Sequence, residues 1–221
     1  MAFPTVAATN TSNVSLSTTH VVSLPASISA GDLLMVFFLV HEDPSVTTPD
    51  GWTLLKSITD GYADHKLYVF YKVASGSEGA SVTITIGTAR RSAGISFRIT
   101  GHSGAPEVST GATGMNYNPD PDALTPSGGA KDYLWIALCK NGTAEAPIAY
   151  PTNYTGNNLW KASNNGTDYP PVLAVATREL NASSENPGTF ETHYEGTWTA
   201  ITIAVSPVAT PANTTNFFQL L

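Results

Sequence analysis

The sequence has one cysteine, Cys139, so no disulfide can form within the chain. Cys139 directly follows the apolar run Leu134 to Leu138 and reads as a small buried hydrophobe on a strand. Charge is also scarce: Asp, Glu, Lys and Arg make up only 12% of the 221 residues, with a formal net charge of -7. Binding to nucleic acid needs clustered Lys and Arg, and the only adjacent basic pair is Arg90-Arg91, so no nucleic-acid partner is expected. No segment approaches the ~18 consecutive apolar residues of a membrane span, so no membrane partner is expected either. Met1-Ala2-Phe3-Pro4 lacks the basic and apolar regions of a secretory signal, which points to a product of the cytoplasm. The Asn-X-Ser/Thr sequons at Asn141, Asn153 and Asn213 are therefore read as chance in an Asn-, Ser- and Thr-rich chain.

Catalytic patterns are missing as well. The sequence has no Gly-X-Ser-X-Gly elbow, no phosphate-cradling glycine loop and no paired-carboxylate motif. Its histidines, at 20, 41, 65, 102 and 193, show no metal-ligand spacing. His41-Glu42-Asp43 is the most ligand-like local group and reads as a solvated loop. Asp120 and Asp122, with Asn116 and Asn118, offer oxygens of the kind calcium takes. However, Pro119 and Pro121 hold that segment extended, and it has no glycine-anchored loop. The expectation is no enzyme activity, no metal and no cofactor.

What the chain does contain is a repeat. Ala30-Gly31-Asp32-Leu33-Leu34-Met35-Val36 is echoed by Ala130-Lys131-Asp132-Tyr133-Leu134-Trp135-Ile136, and Pro49-Asp50-Gly51-Trp52-Thr53 by Pro151-Thr152-Asn153-Tyr154-Thr155. Tyr68 to Lys72 answers to Ala174 to Arg178, and Ile95/Phe97/Ile99 to Ile201/Ile203/Val205. Glu78 and Glu185 recur beside turn serines, where turn chemistry accounts for them better than acid–base work. Trp52 and Tyr154 are expected to fill equivalent core slots. Leu33 to Val40 is a continuous apolar run, the mark of a strand covered on both faces, whereas Val82 to Ile86 and Ile95 to Ile99 alternate with period two. Val14 to Ser17 and His20 to Leu24 read as a first strand pair, and Thr189 to Tyr194 as a strand of the second copy.

Each copy holds four or five short strands, too few to enclose a core alone, so the two should complete each other. The expected fold is all-β: a jelly-roll-like β-sandwich built from two pseudo-repeated halves. Residues 1–207 form the sandwich domain, with half-repeats at about 30–101 and 130–207 and a crossover at 104–129; a short strand can form near Glu107 to Val108 or Leu124. Residues 208–221 form a C-terminal tail. Four of its last five side chains, Phe217, Phe218, Leu220 and Leu221, are apolar and are candidates for docking onto a partner. The loop aromatics Tyr62, Tyr117, Tyr150, Trp160 and Tyr169 are candidates for glycan contact, because sugar rings stack on flat apolar faces.

Several segments together carry a family resemblance. They are Met1-Ala2-Phe3-Pro4-Thr5-Val6-Ala7, Ala30-Gly31-Asp32-Leu33-Leu34, Gly51-Trp52-Thr53-Leu54-Leu55, Tyr71-Lys72-Val73-Ala74, Arg98-Ile99-Thr100-Gly101 and Pro187-Gly188-Thr189-Phe190. Over Met1 to Pro207 the chain resembles a group of virion-associated proteins of tailed bacteriophages. That resemblance implies a virion structural protein made in the host cytoplasm, in first place a decoration or cement protein on the outside of the capsid. Its partners would then be the major capsid protein and further copies of itself, with a trimer favoured. The alternative it leaves is a glycan-binding module of a tail fibre, collar or head spike, with a host surface glycan as partner. The resemblance supplies no catalytic residue to carry over.

Overall fold

The computed structural model describes residues 2–61, 64–142, 145–163, 170 and 172–209. In chain order the strands are β1 (Thr5–Ser23), β2 (Leu33–His41), β3 (Val46–Thr47), β4 (Thr53–Thr59), β5 (His65–Val73), β6 (Ser81–Thr100), β7 (Glu107–Val108), β8 (Ala112–Asn116), β9 (Lys131–Asn141), β10 (Gly156–Ala162), β11 (Val172–Ala182) and β12 (Gly196–Val205). The described residues contain no helix. One sheet has the order β1-β6-β2-β5-β4 with β3 also on β6, and the other has the order β10-β11-β9-β12-β7 with β8 also on β12. The fold is therefore an all-β sandwich of two halves. Each sheet is one contiguous half of the chain, so the passage between sheets that a jelly roll repeats occurs once, between Thr100 and Glu107.

The inner core is shared by both sheets. Leu33, Met35, Phe37 and Leu39 of β2 face Leu134, Ile136 and Leu138 of β9, joined by Ile95, Phe97, Ile99, Ile201, Ile203 and Val205. These sets also correct the linear echo. By cross-strand pairing, Leu33 lies opposite Val73 and Ile99, whereas Leu134 lies opposite Glu179 and Val205. Leu33 is thus equivalent to Leu134, not to Tyr133. A one-residue slip in a strand exchanges its two faces, and the echo as first aligned would have put Tyr133 and Trp135 inside the sandwich. They belong instead to the outer layer of the second sheet.

Residues 104–129 are more than a crossover. β7 and β8 pair along β12 as β1 pairs along β6, so together they are the broken counterpart of β1. The edges confirm this relation. β1 packs against β10, while Gly111, between β7 and β8, sits so close to β4 that a Cβ there would meet Ile58 Cδ1 at 2.5 Å. Exchanging the halves exchanges these two contacts, as a pseudo-twofold requires.

Both faces of the central strands are apolar, so each sheet needs an outer cover. On the first sheet the cover is a folded ribbon. Val14 to Ser17 and His20 to Leu24, expected from sequence to pair with each other, instead lie in the one strand β1, which pairs along its length with β6, with register shifts between Val14 and Thr19. The ribbon doubles back at those shifts, so that the Ser23 N–H donates to Ser12 Oγ (2.8 Å) and Ser96 Oγ donates to the Ser23 carbonyl (2.7 Å). Val22, Leu24, Ile84 and Ile86 thereby land on Leu34, Val36 and Phe38. On the second sheet, loops carrying Leu124, Tyr150, Tyr154 and Phe190 cover Trp135, Ala137 and Cys139. Cys139 is buried there, and burial pushes its thiol pKa up, consistent with an inert packing role.

The same turn chemistry opens and closes both halves. The Trp52 N–H donates to Pro49 O and the Tyr154 N–H to Pro151 O, both at 3.0 Å, around Gly51 (φ 75°) and Asn153 (φ 69°), which supply the left-handed residue. Lys72 meets Glu78 at 3.1 Å, as Arg178 meets Glu185 at 3.0 Å. Glu78 also accepts from the Ser75 and Gly76 N–H groups at 2.8 and 2.9 Å. Hydrogen bonding from Ser75, with Lys72 beside it, holds its pKa down to about 2.

The equivalence of Trp52 and Tyr154 holds in the turn but not in burial: Tyr154 is 1% exposed, whereas Trp52 is only partly buried against the outer layer. Tyr154→Ala is expected to destabilise by about 3–5 kcal/mol and Trp52→Ala by clearly less. Urea unfolding of the two variants checks the order, and equal losses would contradict it.

Candidate functional site

Several charged side chains gather at one end of the sandwich. The inward stripe of β9 runs Leu134, Ile136, Leu138 and then, by the same period of two, Lys140. The Lys140 side chain is 0% exposed. It pairs with Asp60, in the turn after β4, and donates to the Thr197 carbonyl (3.0 Å) and Oγ1 (2.9 Å). Asp60 also accepts from the Asp64 N–H at 3.0 Å and from Thr197 Oγ1 at 3.2 Å, while His65 Nδ1 stands 3.6 Å away, beyond hydrogen-bond reach. Burial alone would raise the Asp60 pKa, but the Lys140 ammonium and the Asp64 N–H hold it well below the usual carboxylate range. Burial lowers the Lys140 and His65 pKa values, and Asp60 offsets part of each effect.

The neighbouring His41-Glu42-Asp43 group does not converge on a point. His41 packs edge-on to His65 with ring centroids 5.0 Å apart, Glu42 pairs with Arg90, and Asp43 pairs with Lys66 at 2.8 Å. Among the described residues no three His, Cys, Asp or Glu side chains are placed to hold a metal. In the Asn116 to Asp122 segment, Asp122 accepts from Ser109 Oγ (2.5 Å), Thr110 Oγ1 (2.7 Å) and the Gly111 N–H (2.9 Å), closing the β7–β8 turn. Asn116 Oδ1 accepts from the Asn118 N–H and Trp198 Nε1. These oxygens already serve protein donors.

The Lys140–Asp60 pair breaks the pseudo-symmetry. Cross-strand pairing makes Leu39 equivalent to Lys140, and Ser163 to Asp60. One end of the sandwich is thus latched by an ion pair joining the two halves, and the equivalent position holds the uncharged Leu39 and Ser163. Lys140 and Asp60 are both fully buried, so the pair is shielded from solvent screening.

Of the loop aromatics, Tyr117 is 49% and Trp160 44% exposed, whereas Tyr150 is half-buried, packed at 5.8 Å on Phe190. Tyr62 and Tyr169 lie outside the described residues, as do Phe217, Phe218, Leu220 and Leu221. Residues 189–194 form no regular strand, contrary to the sequence reading, but an extended segment between two loops. Phe190 and Thr192 N–H groups donate to Pro119 and Tyr117 carbonyls on one side, and Glu191 exchanges hydrogen bonds with Ala149 on the other. This brings the Tyr117 and Tyr150 loops onto one segment and adds Tyr194, 55% exposed, and Ile148, which sequence reading had not singled out. The signal for Tyr194 was its place in the polar run Glu191-Thr192-His193-Tyr194-Glu195, an unusual setting for a core aromatic. Trp160 stands elsewhere, on the edge strand β10.

Fold and sites together define a two-sheet, internally duplicated β-sandwich whose buried charges serve its own scaffold. No family model, curated protein or solved structure matches the chain.

Lys140→Ala, which leaves Asp60 buried without its cation, is expected to cost about 3–5 kcal/mol, whereas the double replacement Asp60→Leu/Lys140→Met should cost far less. The folded pKa of Asp60 lies below the ordinary 3.8, so its contribution is complete above that pH and is lost as the pH falls below it. Acid unfolding of the double variant should accordingly show a smaller loss of melting temperature over that range. Equal destabilisation by the single and double changes would refute the latch.

Proposed function

We propose that the chain is a non-catalytic structural protein of a tailed-bacteriophage particle, most specifically a decoration protein bound to the outside of the head. The observation that carries this reading is that the chain covers both faces of both sheets itself and latches its halves with a buried ion pair. Such a block is self-sufficient and rigid, and it needs only docking elements to add to a shell. The sequence resemblance points the same way. Repeated weak contacts across a symmetric shell then give the avidity that one copy lacks, and assembly as a trimer onto the major capsid protein fits such symmetry.

The docking element in this reading is the C-terminal tail with Phe217, Phe218, Leu220 and Leu221. Burying each of these side chains against a partner is worth roughly 1.5–3 kcal/mol. Deleting residues 216–221 should leave the melting temperature of the sandwich unchanged, because its core ends with β12, while lowering capsid occupancy or oligomer mass. Single-particle reconstruction of the virion is the direct test: density for the sandwich on the outer head supports the proposal, and density only at the tail tip, or none, rejects it.

A second reading, a glycan-binding module of a fibre, collar or head spike, is favoured by the exposed Tyr117 and Tyr194 on adjoining segments. It requires glycan-array signal that disappears in Tyr117→Ala.

A further inference from the structure

At the opposite end of the sandwich from Lys140, a cleft of about 340 Å³ opens between the start of β1 and strands β10 and β11. Its size falls at the lower end of the range for small-ligand sites, about 300–1,000 Å³. Thr5, Thr155, Asn153, Asn157 and Glu179 line it beside the apolar Val6 and Leu134, with Thr177 nearly buried at its back.

The duplication supplies an internal control. Cross-strand pairing sets Thr177 opposite Gly156 as it sets Tyr71 opposite Thr53, so Tyr71 is the first-half equivalent of Thr177. Each edge strand has a register shift just beyond that point, with Leu55 inside the first and Asn157 and Asn158 inside the second. Tyr71 and Leu55 both pack against the inner core. The first half therefore carries a tyrosine and a leucine where the second carries Thr177 and two asparagines. Interiors are normally close-packed, so packing alone does not favour the exchange.

Two residues beside the cleft adopt the left-handed conformation: Asn153 (φ 69°), in the turn equivalent to that of Gly51, and Asn157 (φ 47°), inside the register shift. Between them, Gly156 lies so close to β11 that a Cβ would meet Thr177 Oγ1 at 2.6 Å, and Asn157 Nδ2 donates to the same oxygen at 3.1 Å. Arg178, the one cation among the described residues lining the cleft, is paired with Glu185, so these walls offer little to an anion.

We infer that this cleft binds a saccharide through its hydroxyl groups. Hydroxyls and carboxamides both donate and accept, as sugar hydroxyls do, and a carboxylate can accept from two neighbouring hydroxyls at once. The inference does not rest on a place in a phage particle, and the cleft is distinct from the Tyr117 loops.

The test is a panel of free hexoses and N-acetylhexosamines, together with short oligosaccharides, titrated to tens of millimolar against the isotope-labelled full chain, with amide shifts followed by NMR. At least one sugar is expected to shift the amides of residues 153–157 and 177–179. Thr177→Tyr, which installs the tyrosine that the first half carries at that position, and the gentler surface change Glu179→Ala should each weaken binding at least tenfold. Tyr117→Ala should not. A response to oligosaccharides alone would identify the ligand as a glycan chain, and a response to monosaccharides as a single ring. Silence across the whole panel, shifts centred on Tyr117 and Tyr194, or undiminished binding by a folded Glu179→Ala protein would each overturn the inference.

Discussion

The constraint on which the whole structure depends is that both central strands are apolar on both faces. Leu33 to Val40 in β2 and Tyr133 to Cys139 in β9 are almost completely removed from solvent, although a sandwich of two sheets covers only one face of each. The inner faces satisfy each other. The outer faces must be covered by further chain, and each half solves this in its own way: the first folds its longest ribbon back over itself, and the second lays down loops. The length of β1 and β6, the register shifts within them and the long loops of the second half all follow from that requirement.

Covering a sheet with loops demands that the loops be held, and the sparse charges are used mainly for this. Glu78 and Glu185 close equivalent turns, each against a basic residue on the neighbouring strand, and Asp122 closes the β7–β8 turn with three donors. Removing a carboxylate from water is unfavourable unless donors replace the water, and here they do. Lys140 and Asp60 extend the same logic across the sandwich, tying one half to the other where the first-half equivalent of Lys140 is a leucine.

The halves are therefore equal in scaffold and unequal in chemistry. Where Leu39 gives way to Lys140 the change stiffens the joint, and where Tyr71 gives way to Thr177 a polar cleft stands beside it. Duplication makes such departures readable, because each position has a partner that shows what packing alone would place there. The exposed Tyr117 and Tyr194 belong to the loop cover, which is free to vary once Phe190 and Tyr154 have sealed the face below.

Much of this was legible in the sequence. The duplication, the strand content, the two Pro-X-Gly/Asn turns and the double-sided burial of β2 follow from periodicity and turn chemistry, which depend on residues adjacent in the chain. Two kinds of fact were not. The exact equivalence of β2 and β9 was misread by one residue because their apolar runs carry no alternation, so nothing local distinguishes their inner from their outer face. The pairing of Asp60 with Lys140, the folding of β1 over its own sheet and the placing of Thr5 and Thr177 around one cleft join residues far apart in the chain. Local pattern determines that strands form and where they turn. Only tertiary packing decides which face turns inward and which distant side chains meet, because those choices depend on burying every apolar face at once.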